Sequence, residues 1–164
     1  MLRTLTLRRV APVVLATALS LSFLPRTGAE ASACITAEES ALAGEINATR
    51  ARHGLKTLRV DPELSRVAAL HSYWMARKGK LYHSRRLDWK ITNWSSFAEN
   101  VGVGGSALAT LPEFMASPPH RATILEPSWS YLGVAVNQGG GASWVTTIFE
   151  SSADPGTRLN LGIC

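Results

Sequence analysis

Two histidines and one glutamate are the residues of this 164-residue chain best suited to chemistry. His83 stands in the polar segment 81–84, and His120 directly follows a double proline, so both occupy the kind of position where sites are usually found. Glu99 lies between them in the chain, within an otherwise apolar run where a carboxylate needs a partner. Two neutral imidazoles and a carboxylate are ligands that zinc accepts, with water at a fourth position. These residue types predict a divalent-metal site.

The spacing of these residues is a weak signal by itself. The chain has no HExxH helix, CxxC pair or EF-hand loop, which are the stronger metal motifs. It also lacks a G-x-S-x-G elbow and a P-loop. Ser84 stands beside His83, but no acid that would orient this histidine for hydrolysis is identifiable. Catalysis is therefore less well supported than binding.

The first residues of the chain have the pattern of a secretory signal peptide. A short basic start precedes residues 10–24, which carry no charge and are too few for a membrane-spanning helix, which needs roughly 18 or more. Residues 31–33 form an A-x-A cleavage site; cleavage after Ala29 and an uncleaved anchor are the alternatives. We predict a signal peptide over residues 1–33 and one domain over residues 34–164. We expect this domain in the periplasm or extracellular space, with no transmembrane segment after cleavage.

The net charge of the chain belongs mostly to this leader. The whole sequence carries a formal charge of +5. Residues 1–33 hold four arginines against one glutamate, which leaves thirteen basic and eleven acidic residues, or +2, in the mature domain. A charge this small gives no support for nucleic acid as a partner.

The two cysteines bracket the mature domain. Cleavage after Ala33 makes Cys34 the first residue, and Cys164 is the last residue of the chain. In an oxidising compartment the two thiols are expected to pair in a disulfide. Lipidation of Cys34 is the alternative, although Ala31 stands three residues before it in place of leucine. We predict the disulfide.

Two helices open the domain. Thr36 and Glu39 form a capping box, which predicts a helix ending at Gly54. Asp61 followed by proline predicts the start of a second helix, which Gly79 ends. Four basic residues cluster at and after this end, and a solvated loop beside a helix C-terminus explains them better than a phosphate site does. They are Lys78, Lys80, Arg85 and Arg86.

The remaining chain changes from helical to strand patterns. Residues 81–97 show no hydrophobic periodicity, which predicts a loop, whereas the apolar residues 98–103 predict a short buried strand. Ser106 predicts the N-cap of a third helix. The apolar runs 131–136 and 143–149, separated by a glycine-rich turn, predict an antiparallel hairpin. Helices first and strands last predict an α+β sandwich whose sheet is covered by helices.

Several segments, taken in order, resemble the CAP superfamily of cysteine-rich secretory, antigen 5 and pathogenesis-related 1 proteins, in its short bacterial SCP-like form. They are residues 42–54, residues 64–75, Tyr82-His83-Ser84, Ala98-Glu99-Asn100-Val101, residues 117–125 and the hairpin 133–149. Residues 117–125 resemble the S-P-G-H-R-x-x-I-L signature, with Pro119 in place of glycine. The resemblance implies a three-layer α-β-α sandwich with a small, mainly antiparallel sheet and a central cleft.

The same resemblance implies which residues line the cleft. His83 and His120 correspond to the two cleft histidines, and Glu99 corresponds to the first cleft glutamate. The second cleft glutamate of the family follows an aromatic residue of the third helix. Here Phe114 holds that aromatic place and no glutamate follows it, so Glu113, which precedes it, is the candidate for the second acid.

The resemblance indicates the fold more specifically than the activity, and our first hypothesis is a secreted, non-enzymatic binding module. Its cleft would hold a divalent cation such as zinc, and its partner would be an extracellular ligand such as a lipid or a cell-envelope component. One alternative is a metal-assisted hydrolase in which Glu99 is the base for a metal-activated water. The other is a disulfide-closed structural or lipid-carrier module with an inert cleft.

Overall fold

The structure, a computed structural model, describes residues 35–159. The predicted signal peptide over residues 1–33 lies outside the described residues, as do Cys34 and Cys164. The predicted cleavage, the disulfide and its lipidation alternative therefore stay predictions. Within the described residues, no helix combines the length and the apolar character needed to cross a membrane.

Five helices and four strands make up the described part of the chain. The helices are α1 (Ala37–Arg52), α2 (Pro62–Lys78), α3 (Leu87–Lys90), α4 (Ala107–Ala116) and α5 (Pro118–Leu125). The strands are β1 (Arg59–Val60), β2 (Ile91–Gly104), β3 (Tyr131–Gly139) and β4 (Ala142–Thr157).

The strands form one sheet in the order β1-β3-β4-β2, with β2 at an edge. β3 and β2 both pair antiparallel with β4, whereas the short β1 pairs parallel with β3, so the sheet is mixed. One face carries α2 and α3 over a core that includes Leu64 and Ile148. The other face carries α1, α4 and α5 over a core that includes Ile46 and Phe149. This arrangement confirms the predicted three-layer α-β-α sandwich.

The acidic first turn of α1 connects three elements. The predicted capping box is present, because Glu39 N donates to Thr36 Oγ1 at 3.2 Å and Thr36 N donates to Glu39 Oε2 at 2.8 Å. The other Glu39 oxygen accepts from Val136 N of β3 at 2.9 Å. Glu38 accepts from Ala107 N, at the start of α4, at 3.0 Å. Glu39, which caps α1, therefore also connects α1 to β3, and its neighbour Glu38 connects α1 to α4.

The helix α2 lies very close to the sheet at Gly133. A Cβ atom on Gly133 would meet the backbone and Cβ of Leu64 at 2.5 Å, which is inside any real contact distance. The absence of a side chain there lets α2 pack directly on β3. The predicted helix is confirmed, with Asp61 accepting from Leu64 N at 2.9 Å and Gly79 in a left-handed conformation at its end.

The prediction of a loop over residues 81–97 is wrong for its second half. The short helix α3 begins at Leu87, and β2 begins at Ile91, seven residues earlier than the predicted strand. Pairing of β2 with β4 shifts register on both sides of Trp94, and Asn93 has a φ of 63°. These irregularities break the alternation of side chains that marks a regular strand, so the sequence pattern did not indicate one.

Candidate functional site

A hydrogen bond joins the two predicted site residues His83 and Glu99. Nδ1 of His83, in the segment between α2 and α3, lies 2.9 Å from Glu99 Oε2, and Ser84 N donates to the same oxygen at 2.8 Å. The His83 side chain is 61% exposed and that of Glu99 only 5%. Because Nδ1–H donates to the carboxylate, a neutral His83 ring carries its lone pair on the outward-facing Nε2.

The second oxygen of Glu99 is buried and makes no hydrogen bond within the described part of the chain. A buried carboxylate oxygen without a hydrogen-bond partner lowers the free energy of unfolding, and favourable interactions elsewhere in the fold must compensate for this loss. Such an atom beside an exposed imidazole marks a place where a ligand or water completes the network.

The buried His71 holds the segment that carries His83. Its Nε2 donates to the carbonyl of Tyr82, the residue before His83, at 2.7 Å, and the two rings meet edge-on at 5.0 Å. Burial lowers the pKa of His71, while the Tyr82 carbonyl and the charge of Glu99 oppose that effect. The sequence motifs did not single out His71 as a site residue; its place on the apolar side of α2 was the available signal.

His120 reaches the same sheet edge from the opposite layer. It lies in the first turn of α5, its ring centroid is 5.1 Å from that of Phe114, and its carbonyl accepts from Asn100 Nδ2 at 3.1 Å. Burial lowers the pKa of His120, and the charge of His83 lowers it further. The two imidazoles are therefore close enough to influence each other electrostatically.

The predicted set is thus only partly assembled. His83 and Glu99 are in direct contact and His120 is their electrostatic neighbour, whereas Glu113 is exposed on α4. Across residues 35–159, no group of three or more His, Cys, Asp or Glu side chains is placed so that it could hold a metal ion. The structure offers two imidazoles from opposite layers beside β2, one of them oriented by a carboxylate. The metal and the role of Glu113 stay predictions.

A buried arginine that the sequence motifs did not indicate supports the His120 side of the cleft. Arg50 of α1 is fully buried. Its Nη1 donates to the carbonyls of Ile124 and Glu126 at 2.7 and 2.9 Å, and its Nε donates to the carbonyl of Lys56 at 3.0 Å. Arg50 thereby fixes the C-terminal end of α5, whose first turn carries His120. The available signals were its place in segment 42–54, which resembles the family's opening helix with an asparagine, an arginine and a glycine, and its spacing of four residues from Ile46 on the same helix face.

The described structure has two concave regions, of which the first includes His71 and His83. The first, called the basic cavity below, has a volume of about 750 Å³ and lies beside His83 at the end of α2. It is lined by Leu70, His71, Trp74, Lys78, Lys80, Tyr82, His83, Arg85 and Lys90. The second, called the α1–α4 groove, has a volume of about 520 Å³ and includes Leu108, Leu111, Pro112 and Met115.

Comparison with known proteins identifies the class that this fold and cleft define. The model of CAP, the cysteine-rich secretory protein family, matches residues 43–149. The chain belongs to this family, which confirms the resemblance found in the sequence. No curated protein sequence matches the chain significantly.

Solved structures share the fold at low sequence identity. An outer surface protein from Borrelia burgdorferi is 14% identical with a TM-score of 0.63, over 70% of this chain and 92% of its own. An extracellular protein containing a SCP domain from Bacillus anthracis is 21% identical with a TM-score of 0.62, over 78% of this chain and 45% of its own. NaASP2, whose structure was determined with Zn²⁺, is 14% identical with a TM-score of 0.52, over 71% of this chain and 80% of its own.

Proposed function

We propose that this CAP domain is a secreted, non-enzymatic binding module that holds a divalent cation, zinc in the first instance, through His83 and His120. The observation that carries the proposal is the hydrogen bond from His83 Nδ1 to Glu99 Oε2. Histidines that bind metals almost always donate their other ring N–H to a carboxylate or carbonyl, which fixes the tautomer and the ring orientation. His83 is held in this way with Nε2 directed outward.

The donor chemistry fits a weak, open zinc site. Imidazole nitrogen is a ligand that zinc prefers, and burial lowers the pKa of His120, which favours its neutral, metal-binding form. Two protein ligands leave positions for water or for an external ligand. A protein of the same fold, NaASP2, has been crystallised with Zn²⁺, which supports zinc as the cation to test first.

Glu99 takes a different role in this proposal from the one its residue type predicts. Its Oε2 already accepts from His83 and from Ser84 N, so Glu99 is a positioning residue for His83 rather than a direct ligand. The buried Oε1 remains for a water or a ligand group in the cleft.

Zinc titration by calorimetry tests the proposal. Wild type is expected to bind zinc, and His83→Ala and His120→Ala are each expected to bind at least about tenfold more weakly. His53→Ala is the matched control, because His53 is exposed at the end of α1 and its ring hydrogen-bonds to the carbonyl of Thr49, away from His83 and His120 in the chain. Equally weak binding by wild type and His120→Ala would contradict the proposal.

The metal-assisted hydrolase is separated from the binding module by turnover. The zinc-loaded protein is assayed on peptide, ester and peptidoglycan substrates beside His83→Ala. We expect no turnover above that of the variant. If wild type turns over a substrate and His83→Ala does not, the hydrolase hypothesis would replace the binding-module hypothesis.

An apolar ligand in the α1–α4 groove is a second candidate function. Leu108, on the groove side of α4, is 43% exposed, and Leu111, Pro112 and Met115 extend the apolar part of the lining. The polar part is Glu45, Thr49, Arg52 and His53. Such a surface suits an acyl chain with a polar head. Lipid that co-purifies with the secreted protein, identified by mass spectrometry, is expected to be lost in Leu108→Glu and retained in Ala109→Glu, whose exposed position does not line the groove.

Secretion of this chain is proposed on the signal-peptide pattern and on its family. The relatives include an extracellular protein and an outer surface protein. The intact mass of the protein from the culture medium or periplasm, before and after reduction, tests the cleavage site, the Cys34–Cys164 disulfide and the lipidation alternative together. A mass that includes residues 1–33 would contradict the predicted cleavage.

A further inference from the structure

The basic cavity gathers positive charge that the described protein does not neutralise. Lys78, Lys80, Arg85 and Lys90 all line it, and no acidic residue does. Within residues 35–159 the ion pairs join Glu63 to Arg66, Glu99 to His83 and Asp88 to Arg86. None of the four lining cations takes part in these pairs.

The carboxylate that acts on the lining Lys90 is already engaged. Glu99 acts on Lys90 electrostatically, but its Oε2 accepts from His83 and Ser84 N. Burial lowers the pKa of Lys90 more than Glu99 raises it. Lys78, Lys80 and Arg85 are exposed, and because no acidic residue lines the cavity, their positive charge is available to attract an anion.

Aromatic rings hold one of these cations in position. Lys78 Nζ lies 5.3 Å from the ring centroid of Tyr82 and 5.9 Å from that of Trp74. Contact with two ring faces restricts the long lysine side chain before any ligand arrives. Trp74 is itself 44% exposed, so the cavity offers an apolar ring surface beside its charges.

We propose that the basic cavity is a binding site for a phosphate-bearing ligand. The sequence alone favours a solvated loop for Lys78, Lys80 and Arg85; the fold adds a cavity that they line together with Lys90 and Trp74. The phosphate group would lie among Lys78, Lys80 and Arg85, and the carbon part of the ligand would pack against Trp74 and Leu70. Several cations around one cavity suit a multiply charged oxyanion with several acceptor oxygens better than a single carboxylate. A soluble phosphomonoester and a lipid headgroup share this chemistry. The site goes beyond the proposed cation site because it needs neither zinc nor His120, although His83, a proposed zinc ligand, also lines the cavity.

Calorimetry with glycerol phosphate, in the presence of a chelator, tests the soluble source. Wild type is expected to bind, and the double variant Lys78→Ala/Lys80→Ala is expected to bind about tenfold more weakly or worse. Arg77→Ala is the control for the single variant Lys80→Ala: each removes one positive charge near the end of α2, but Arg77 does not line the cavity and stacks on Tyr73 instead. Circular dichroism melting establishes that each variant is folded, and Lys80→Ala alone serves if the double variant is not.

Sedimentation with vesicles tests the lipid source. Phosphatidylglycerol vesicles are compared with phosphatidylcholine vesicles, using the same variants. Binding of either probe that depends on Lys78 and Lys80 but not on Arg77 supports the site and identifies its source. Absence of binding to both probes, or an equal loss in Arg77→Ala, overturns it. His120→Ala is expected to lose zinc and keep phosphate binding, so failure of the cation site and failure of this site are distinguishable.

Discussion

Glu99 and Asn100 are consecutive residues of β2, and they serve opposite layers of the sandwich. Glu99 accepts from His83 on the α2 side at 2.9 Å, whereas Asn100 Nδ2 donates to the carbonyl of His120 on the α5 side at 3.1 Å. Successive side chains of a strand point to opposite faces. Because β2 lies at the edge of the described sheet, both histidines can approach the same edge from their separate layers.

Replacing Glu99 by glutamine tests its role as a positioning residue. Glutamine keeps an oxygen for Ser84 N but removes the negative charge that favours Nδ1–H of His83. Zinc affinity is expected to fall about 10- to 100-fold, as is typical when a partner behind a metal-binding histidine is changed. Titration calorimetry measures the change, with Glu113→Gln on the exposed face of α4 as control. If Glu99→Gln binds zinc as tightly as wild type, Glu99 does not orient His83 for metal binding.

Asn100→Ala tests whether β2 also fixes His120. The variant removes the buried Asn100 amide that donates to a partly buried carbonyl of the first turn of α5, which is expected to cost about 1–3 kcal/mol of unfolding free energy. Urea denaturation measures the loss, and Ser96→Ala, an exposed position of the same strand, is the control. Stability equal to that of the control would mean that water replaces the Asn100 amide.

Arg50→Leu is expected to be severely destabilising. Leucine fills part of the space but leaves three carbonyls without the guanidinium that binds them, those of Lys56, Ile124 and Glu126. The loss is expected to be about 3–5 kcal/mol, the range for breaking a buried charged network. Arg52→Leu, an exposed position at the end of the same helix, is expected to stay within about 0.5 kcal/mol of wild type. Thermal and urea unfolding compare the two.

The buried Glu150 gives stability a dependence on pH. Neither of its oxygens makes a hydrogen bond of ordinary geometry within the described structure. Burial raises the pKa of Glu150 to about 7, the Ser152 hydroxyl favours the carboxylate, and the charge of Asp61 raises the pKa further. The folded protein thus binds this proton more tightly than the unfolded chain, whose glutamate titrates near 4.5. The stability that protonated Glu150 supplies is complete below pH 4.5 and is lost as the pH rises towards 7.

Glu150→Gln isolates this effect. At pH 8 the variant is expected to be more stable than wild type, by about 3 kcal/mol at most, and the difference should vanish near pH 4. The lowered pKa values of His71 and His120 act in the opposite direction below about pH 6.5, but they cancel when the two proteins are compared at each pH. Urea denaturation across this range measures the difference, with the exposed Glu45→Gln as control. A difference that does not change with pH would contradict the assignment.

The sequence by itself determined the features that depend on neighbouring residues. The capping box of Thr36 and Glu39 spans three residues, so its hydrogen bonds are decided locally. The turn between β3 and β4 needs positive φ at two positions, and Gly140 and Gly141 supply φ values of 61° and 75°. The order of such local signals, with the family's segments, was enough to predict the three layers and to name His83, Glu99 and His120.

Only the tertiary structure decided which polar groups share an environment. Glu99 meets a residue 16 positions away, and Arg50 binds carbonyls 74 and 76 positions away. The irregular start of β2 and the basic cavity likewise depend on how separate elements pack. The burial of a side chain and its hydrogen-bond partners depend on chain segments that are distant in sequence. Hydrophobic periodicity describes only neighbouring residues, so it does not predict which distant segments come into contact. For this reason the roles of Arg50, His71 and the lysines around Trp74 emerged only from the packed fold.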